Sequence, residues 1–191
     1  MPSHRGTTGR SEPDASPPPD PWRKTKVKRA TTIAAAAAPS WDALGDDSNV
    51  VLQLDLAAAI GLPSGSDVVI DGLGWDVTIE TFGAPWISEA TVGIDGDGDG
   101  THDVFLNPSA GDDVSGFGTD ASGRILDLGD DFGLADLLVP GGIVTPEAYG
   151  SFDDVADAVD SVRGGAFELN VIPGPGAGAL LGLAGSRRHR G

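Results

Sequence analysis

From Val50 onward the chain alternates between apolar and polar positions. Val50, Leu52, Leu54 and Leu56 fall on every second residue, which is the period of a half-buried strand. The cluster Gly61-Leu62-Pro63-Ser64-Gly65 marks a turn, and residues 68–73 predict a second strand. Trp75, Val77 and Ile79 then alternate with Asp76, Thr78 and Glu80, which predicts a third strand with Trp75 on the inner face. Beyond a turn at residues 83–85, residues 88–94 predict a fourth, with Ala90, Val92 and Ile94 inward.

Shorter candidates follow at residues 104–106, 125–128, 142–145 and 166–171, the last with Phe167, Leu169 and Val171 on one face. Residues 111–123 are too rich in glycine to assign. Residues 131–138 suit a helical turn or a loop, and residues 153–162 a short helix or a mixture of loop and strand. Only residues 56–62, Leu-Ala-Ala-Ala-Ile-Gly-Leu, favour helix by propensity. Many short alternating segments, with turn signals roughly every eight to twelve residues, predict an all-β chain: a single antiparallel β-sandwich or jelly-roll-like domain. No repeat at solenoid or propeller spacing is present.

Charge changes the picture because it is unevenly spread. Of 29 acidic residues, 26 fall after Trp41, whereas seven of the 12 basic residues precede it and three end the chain. The body keeps only Arg124 and Arg163, so two basic side chains face 26 acidic ones for a net charge of −24. Nucleic-acid binding works by cationic side chains displacing counterions, so this body excludes nucleic acid as a partner. An acidic surface attracts cations and keeps a protein soluble. The absence of cysteine rules out disulfides, thiol catalysis and Cys-ligated zinc.

One local motif carries a mechanism. In Asp95-Gly96-Asp97-Gly98-Asp99-Gly100-Thr101-His102-Asp103, three aspartates at spacing two precede a glycine in sixth place. That is the first half of an EF-hand-type loop, in which alternate carboxylates converge on calcium. Thr101 offers a backbone carbonyl at position seven and Asp103 stands at position nine, but Leu106 occupies the twelfth position in place of a bidentate glutamate. A further carboxylate, Asp112 or Asp113, has to complete the shell. The same residues also suit a plain Asp-Gly hairpin tip, and the sequence leaves the two readings open. His102 is expected to be a solvated loop histidine, since zinc lacks further ligands of the ordinary kind.

Catalysis has less support. Asp112-Asp113, Asp130-Asp131 and Asp153-Asp154 are carboxylate pairs of the sort that glycan-cleaving enzymes use, but 26 acidic residues produce adjacent pairs by chance. No nucleophile elbow or phosphate-binding loop is present, and no catalytic residue is assigned. Trp75, Trp86 and Tyr149 are candidates for stacking on sugar rings. Trp75 belongs with the core by its phase, which leaves Trp86, beside a turn, as the candidate sugar contact.

The two ends read as signals. Residues 1–26 are expected to be disordered, or to precede a true start at Val27 read from a GTG codon. Residues 27–41 carry Lys28 and Arg29, a short apolar run and small residues before a polar segment, which is the order of an export signal. Residues 42–170 are the β-sandwich domain. Residues 171–191 combine Pro173-Gly174-Pro175, a small apolar run from Ala177 to Ala184, and the basic end Arg187, Arg188 and Arg190. This three-part tail resembles the sorting signal of PEP-CTERM proteins, in the planctomycete-like variant with Pro-Gly-Pro in place of Pro-Glu-Pro. Body segments such as Gly74-Trp75-Asp76-Val77-Thr78-Ile79-Glu80 are similar to those of PEP-CTERM proteins of unassigned role.

The resemblance implies export and transient membrane association through the tail. It further implies an exosortase-like processing partner that cuts near the Pro motif, and release to the cell surface or extracellular matrix. Arg187, Arg188 and Arg190 would hold the cytoplasmic side. Extracellular polysaccharide is the alternative partner, through a carbohydrate-binding module.

Overall fold

A computed structural model of the chain describes residues 29–34, 42–47, 49–152 and 161–175. Two antiparallel sheets pack face to face. The first runs in the order β1 (Arg29–Ala34), β11 (Ser161–Pro173), β4 (Val68–Thr81) and β7 (Phe117–Ala121). Two short strands, β8 (Leu126–Asp127) and β9 (Leu137–Val139), continue along the β7 side of β4. The second sheet runs β2 (Val50–Val51), β10 (Ile143–Gly150), β5 (Ala90–Asp95) and β6 (Val104–Leu106), with β3 (Leu54–Asp55) also on β10. The chain is an all-β antiparallel sandwich, as its alternation predicts. Among the described residues no helix is long and apolar enough to cross a membrane.

The core lies between the sheets. Ile70, Val77, Ile79 and Val139 of the first sheet, together with Leu169 and Val171, meet Ile94, Leu106 and Val144 of the second, with Leu56 and Leu128 beside them. Burying each such side chain contributes about 1.5–3 kcal/mol relative to exposure. Trp75 is half-buried against this cluster, its indole N–H donating to the Asp120 carboxylate.

Two departures from simple alternation have local causes. Residues 68–73 and 75–81 form one 14-residue strand rather than two. The phase nevertheless breaks between them, because Val171 pairs with Ile70 whereas Asn170 pairs with Gly72, which leaves Asp71 as an extra residue. That β-bulge moves the inward set from Val68 and Ile70 to Leu73, Val77 and Ile79. Asp71 is thereby buried, and its carboxylate accepts a hydrogen bond from the Asn170 side-chain amide. Gly72 sits where a Cβ would come within 2.7 Å of the Leu126 carbonyl oxygen, so β8 can approach only a glycine.

The second departure is at Pro146, inside the central strand β10. The Leu52 N–H donates to the Pro146 carbonyl at 2.9 Å, but proline has no N–H to return. The ladder to residues 50–55 therefore splits into β2 and β3 around this pair, while the β5 side of β10 continues unbroken from Thr145 to Gly150. The predicted strand over 50–56 thus ends at Asp55, which caps the short helix α1 (Leu56–Ala59) by accepting the Ala58 N–H at 2.8 Å. A second short helix, α2 (Leu128–Phe132), begins before the predicted span 131–138, capped by Asp127.

The first sheet reaches at both ends into stretches that the sequence sets aside as flanks. Strand β1 lies within residues 27–41, and β11 continues to Pro173. Residues 153–160 and the basic end Arg187, Arg188 and Arg190 lie outside the described residues.

Strand directions give the sandwich two distinct ends. At one, β4 begins, β5 and β11 finish, and Gly96 lies against the Leu137 side chain. At the other, β4 and β10 finish and β5 begins. There the backbone bonds Thr81 N–H to Gly116 O, Ile87 N–H to Val114 O and Ser151 N–H to Glu89 O, each 2.8 Å, tie the loops together.

Candidate functional site

The aspartate loop closes the first of these ends. β5 carries Asp95 into it nearly buried, and Gly98 and Gly100 turn the chain at positive φ. The Asp95 carboxylate accepts the N–H groups of Gly98 at 2.7 Å and Gly100 at 3.0 Å. Asp97 accepts from Asp99 at 3.1 Å, and Asp99 from Thr101 at 2.7 Å. Winding the loop around these acceptors brings one oxygen each from Asp95, Asp97 and Asp99 within 4.8 Å of one another. Such a cluster can hold a metal ion, since each carboxylate keeps lone pairs beyond those given to the backbone.

The rest of the expected shell is not brought to the same point. Asp103 is exposed and accepts the Gly96 N–H at 2.8 Å, while its own N–H donates to Ile94 at 2.8 Å, closing the hairpin. Thr101 is exposed. Leu106 packs in the core from β6 and has no donor to offer. Asp112 and Asp113 cannot complete the set: they lie at the opposite end of β5, where the Asp112 carbonyl accepts the Ser88 N–H and Asp113 accepts the Ser88 hydroxyl. Five residue steps of strand separate the two places by about 17 Å.

His102 is not the solvated histidine that the sequence suggests. Its side chain is only 9% exposed and lies on the outer face of the second sheet. Gly93 makes the room, since a Cβ there would fall 2.2 Å from His102 Nδ1. The imidazole stacks on Tyr149 with centroids 6.2 Å apart, meets Phe105 edge-on at 5.8 Å, and places Nε2 3.6 Å from a Glu147 oxygen. The other Glu147 oxygen accepts from the Gly45 N–H and the Asn49 amide, each at 2.8 Å. Burial, and then the Glu147 charge, raise the Tyr149 hydroxyl above its usual range. This cluster holds the aspartate loop and the segment around Gly45 on one sheet face. Thr145, Glu147 and Tyr149 stand at period two, which is the signal that could have revealed it; Pro146 hides it.

Among the described residues the carboxylate pairs are not brought together into a two-acid centre. Asp131 is held by Arg124 in a bidentate pair at 2.6 and 2.9 Å, which keeps its carboxyl below the usual range. Asp130 is exposed on α2, and Asp153-Asp154 lie outside the described residues. A depression of about 250 Å³ on the first sheet is lined by Trp75, Asp76, Ser122, Arg124 and Glu168, of which the sequence offers only Trp75 as a binding candidate.

The three aromatics do not share a platform either, because Trp75 faces the core and Tyr149 lies beneath His102. Trp86 is 45% exposed and has other neighbours. Its loop runs beside residues 112–116, and Phe82, Trp86, Val114 and Phe117 are all exposed at this end. Phe152, also exposed, follows β10 at the same end. Pro173 is the last residue of β11; Gly174 is buried and donates to the Asp67 carbonyl at 2.9 Å, and Pro175 is exposed.

No family model and no curated protein matches the chain. Among solved structures, the infectious bursal disease virus VP2 subviral particle aligns over 79% of this chain and 34% of its own, with 13% identity and a TM-score of 0.37. The chain thus spans about a third of that protein's length. The Tobacco streak virus coat protein dimer aligns over 78% of this chain and 88% of its own, with 16% identity and a TM-score of 0.27. Likeness at this level carries no argument about function.

Proposed function

We propose that the chain is an exported, acidic cell-surface or extracellular-matrix protein, sorted by its PEP-CTERM-like tail and processed by an exosortase-like partner. The observation that carries the proposal is the position of Pro173-Gly174-Pro175. The motif begins on the last paired residue of β11 and ends on an exposed proline at one end of the sandwich. A cut beyond Pro175 severs no sheet bond, whereas a cut before Gly174 loses the bond to Asp67. Processing is therefore expected on the far side of Pro175.

The aspartate loop at the same end is the part of this reading that concerns calcium. Three carboxylates suit a hard cation, and millimolar calcium outside a cell matches the weak affinity expected of an incomplete shell. Its role is to stiffen the loop. The alternative, a carbohydrate-binding module, is favoured by one observation: Trp86 is 45% exposed on a loop at one end of the sandwich, so an apolar ring face can be covered.

The test is intact mass and terminal sequencing of the protein from the envelope and medium of its host. A chain ending just after Pro175 supports sorting. An uncut chain in the cytoplasm overturns it. Polysaccharide binding is read separately, by tryptophan quenching in the wild type that is lost in Trp86→Ala.

A further inference from the structure

We infer that the outer edge of β11 is an acceptor site for an extended strand, and that Arg29–Ala34 is its exchangeable occupant. All six residues of β1 pair with β11 in one unbroken antiparallel register, from Arg29 opposite Val171 to Ala34 opposite Ala166. The two partners are anchored very differently. β11 is held on its other side by β4 through 13 paired residues, and Phe167, Leu169 and Val171 are buried in the core. β1, by contrast, is an edge strand whose main chain, among the described residues, pairs with β11 alone. A strand held in that way tolerates replacement by another extended segment, as in β-strand addition.

The site deepens the export reading and rests on it for what opens the edge. Cleavage of an export signal around Ala38 removes β1 and leaves residues 166–171 with unpaired N–H and C=O groups. An open edge of that length is a template for another chain. The occupant that fits is an extended segment of a partner protein with small and β-branched residues. A cationic residue opposite Val171, as at Arg29, suits the acidic body.

The chain has no cysteine, so engineered pairs report the register without competition. Thr32 faces Glu168. Residues directly opposite have Cα atoms about 4.5–5.5 Å apart, within reach of a disulfide. The full chain carrying Thr32→Cys with Glu168→Cys is expected to cross-link on mild oxidation. Ala30→Cys with Glu168→Cys, two residues out of register, is not. A protease site is then placed in residues 35–41 of a chain carrying Glu168→Cys alone and cut. A labelled six-residue peptide of the β1 sequence with Thr32→Cys is expected to cross-link at least tenfold more than before cutting, and tenfold more than a scrambled peptide.

Equal cross-linking of the two intact pairs overturns the register. An in-register cross-link in the intact chain, with no uptake of the peptide after cutting, overturns exchangeability. A mature protein from the host that retains Arg29 overturns the export reading for this segment, and leaves the acceptor edge standing if the peptide enters.

Discussion

The two ends of this sandwich are built from the same strands and differ in what they show to solvent. At one, β5 runs out into an aspartate loop whose carboxylates are occupied by their own backbone N–H groups, and whose histidine folds back onto the sheet. At the other, two neighbouring loops leave Phe82, Trp86, Val114 and Phe117 exposed. The first end is charged yet internally satisfied, and the second sets exposed apolar side chains beside the exposed Asp112 and Asp113. Ordered polar loops fix their geometry through hydrogen bonds and need no partner to do so. Exposed aromatic clusters gain free energy only when something covers them. The aspartate loop is the place in this sandwich where three carboxylates can hold a cation.

The largest expected effect tests whether the acidic end depends on its packing beneath His102. Gly93→Val must displace the imidazole and is expected to cost about 1–3 kcal/mol, as for other overpacked sites. Urea unfolding measures it, and an unchanged midpoint would show that His102 does not hold the loop down. Next comes calcium. At ten times its dissociation constant, a cation bound only to the folded state stabilises by about 1.4 kcal/mol. Millimolar calcium should raise the melting temperature of the wild type but not of Asp97→Asn with Asp99→Asn. A shift that persists in the double variant would assign the effect to the acidic surface at large.

Phe117→Ser at the apolar end should leave stability within about 0.5 kcal/mol, the usual range for an exposed site away from special features. A larger loss would mean that this cluster supports the fold rather than awaiting a partner. The smallest signal is the most local. Tyr149 is the only tyrosine, so tyrosinate absorbance reports on it alone. Burial and then Glu147 raise its ionisation, so the unfolded chain loses its proton first. The stability tied to the neutral ring is full below the ordinary value near 10 and is lost as pH rises through the higher folded value. Tyr149→Phe should remove that alkaline loss, and tyrosinate appearing at the ordinary pH would refute the burial argument.

Much of the fold was legible by period alone. Ala90, Val92 and Ile94 are buried as their alternation requires, as are Val77 and Ile79, and residues 104–106 form a strand of just those bounds. Periodicity works there because a sheet with one face on the core imposes it. It fails at Asp71, where a bulge changes which residues face inward, and at Pro146, where a missing donor divides one strand's partner into two. Neither event alters composition, and both depend on which strand lies alongside.

The candidate site divides in the same way. Its aspartates and turning glycines are local, so Asp95, Asp97 and Asp99 converge as their spacing implies. What completes or supports the loop is not local. Asp112 and Asp113 looked available in sequence and lie at the far end of β5, while Glu147 and Tyr149, 45 and more residues beyond His102, stand beneath its ring. The sequence by itself determined the strands, the charge and the aspartate loop, because each arises from neighbours along the chain. Only the tertiary structure decided which strands adjoin, which face His102 covers, and that Trp86 shares its end with Phe117, because those placements bring together segments whose separation along the chain carries no record of their distance in space.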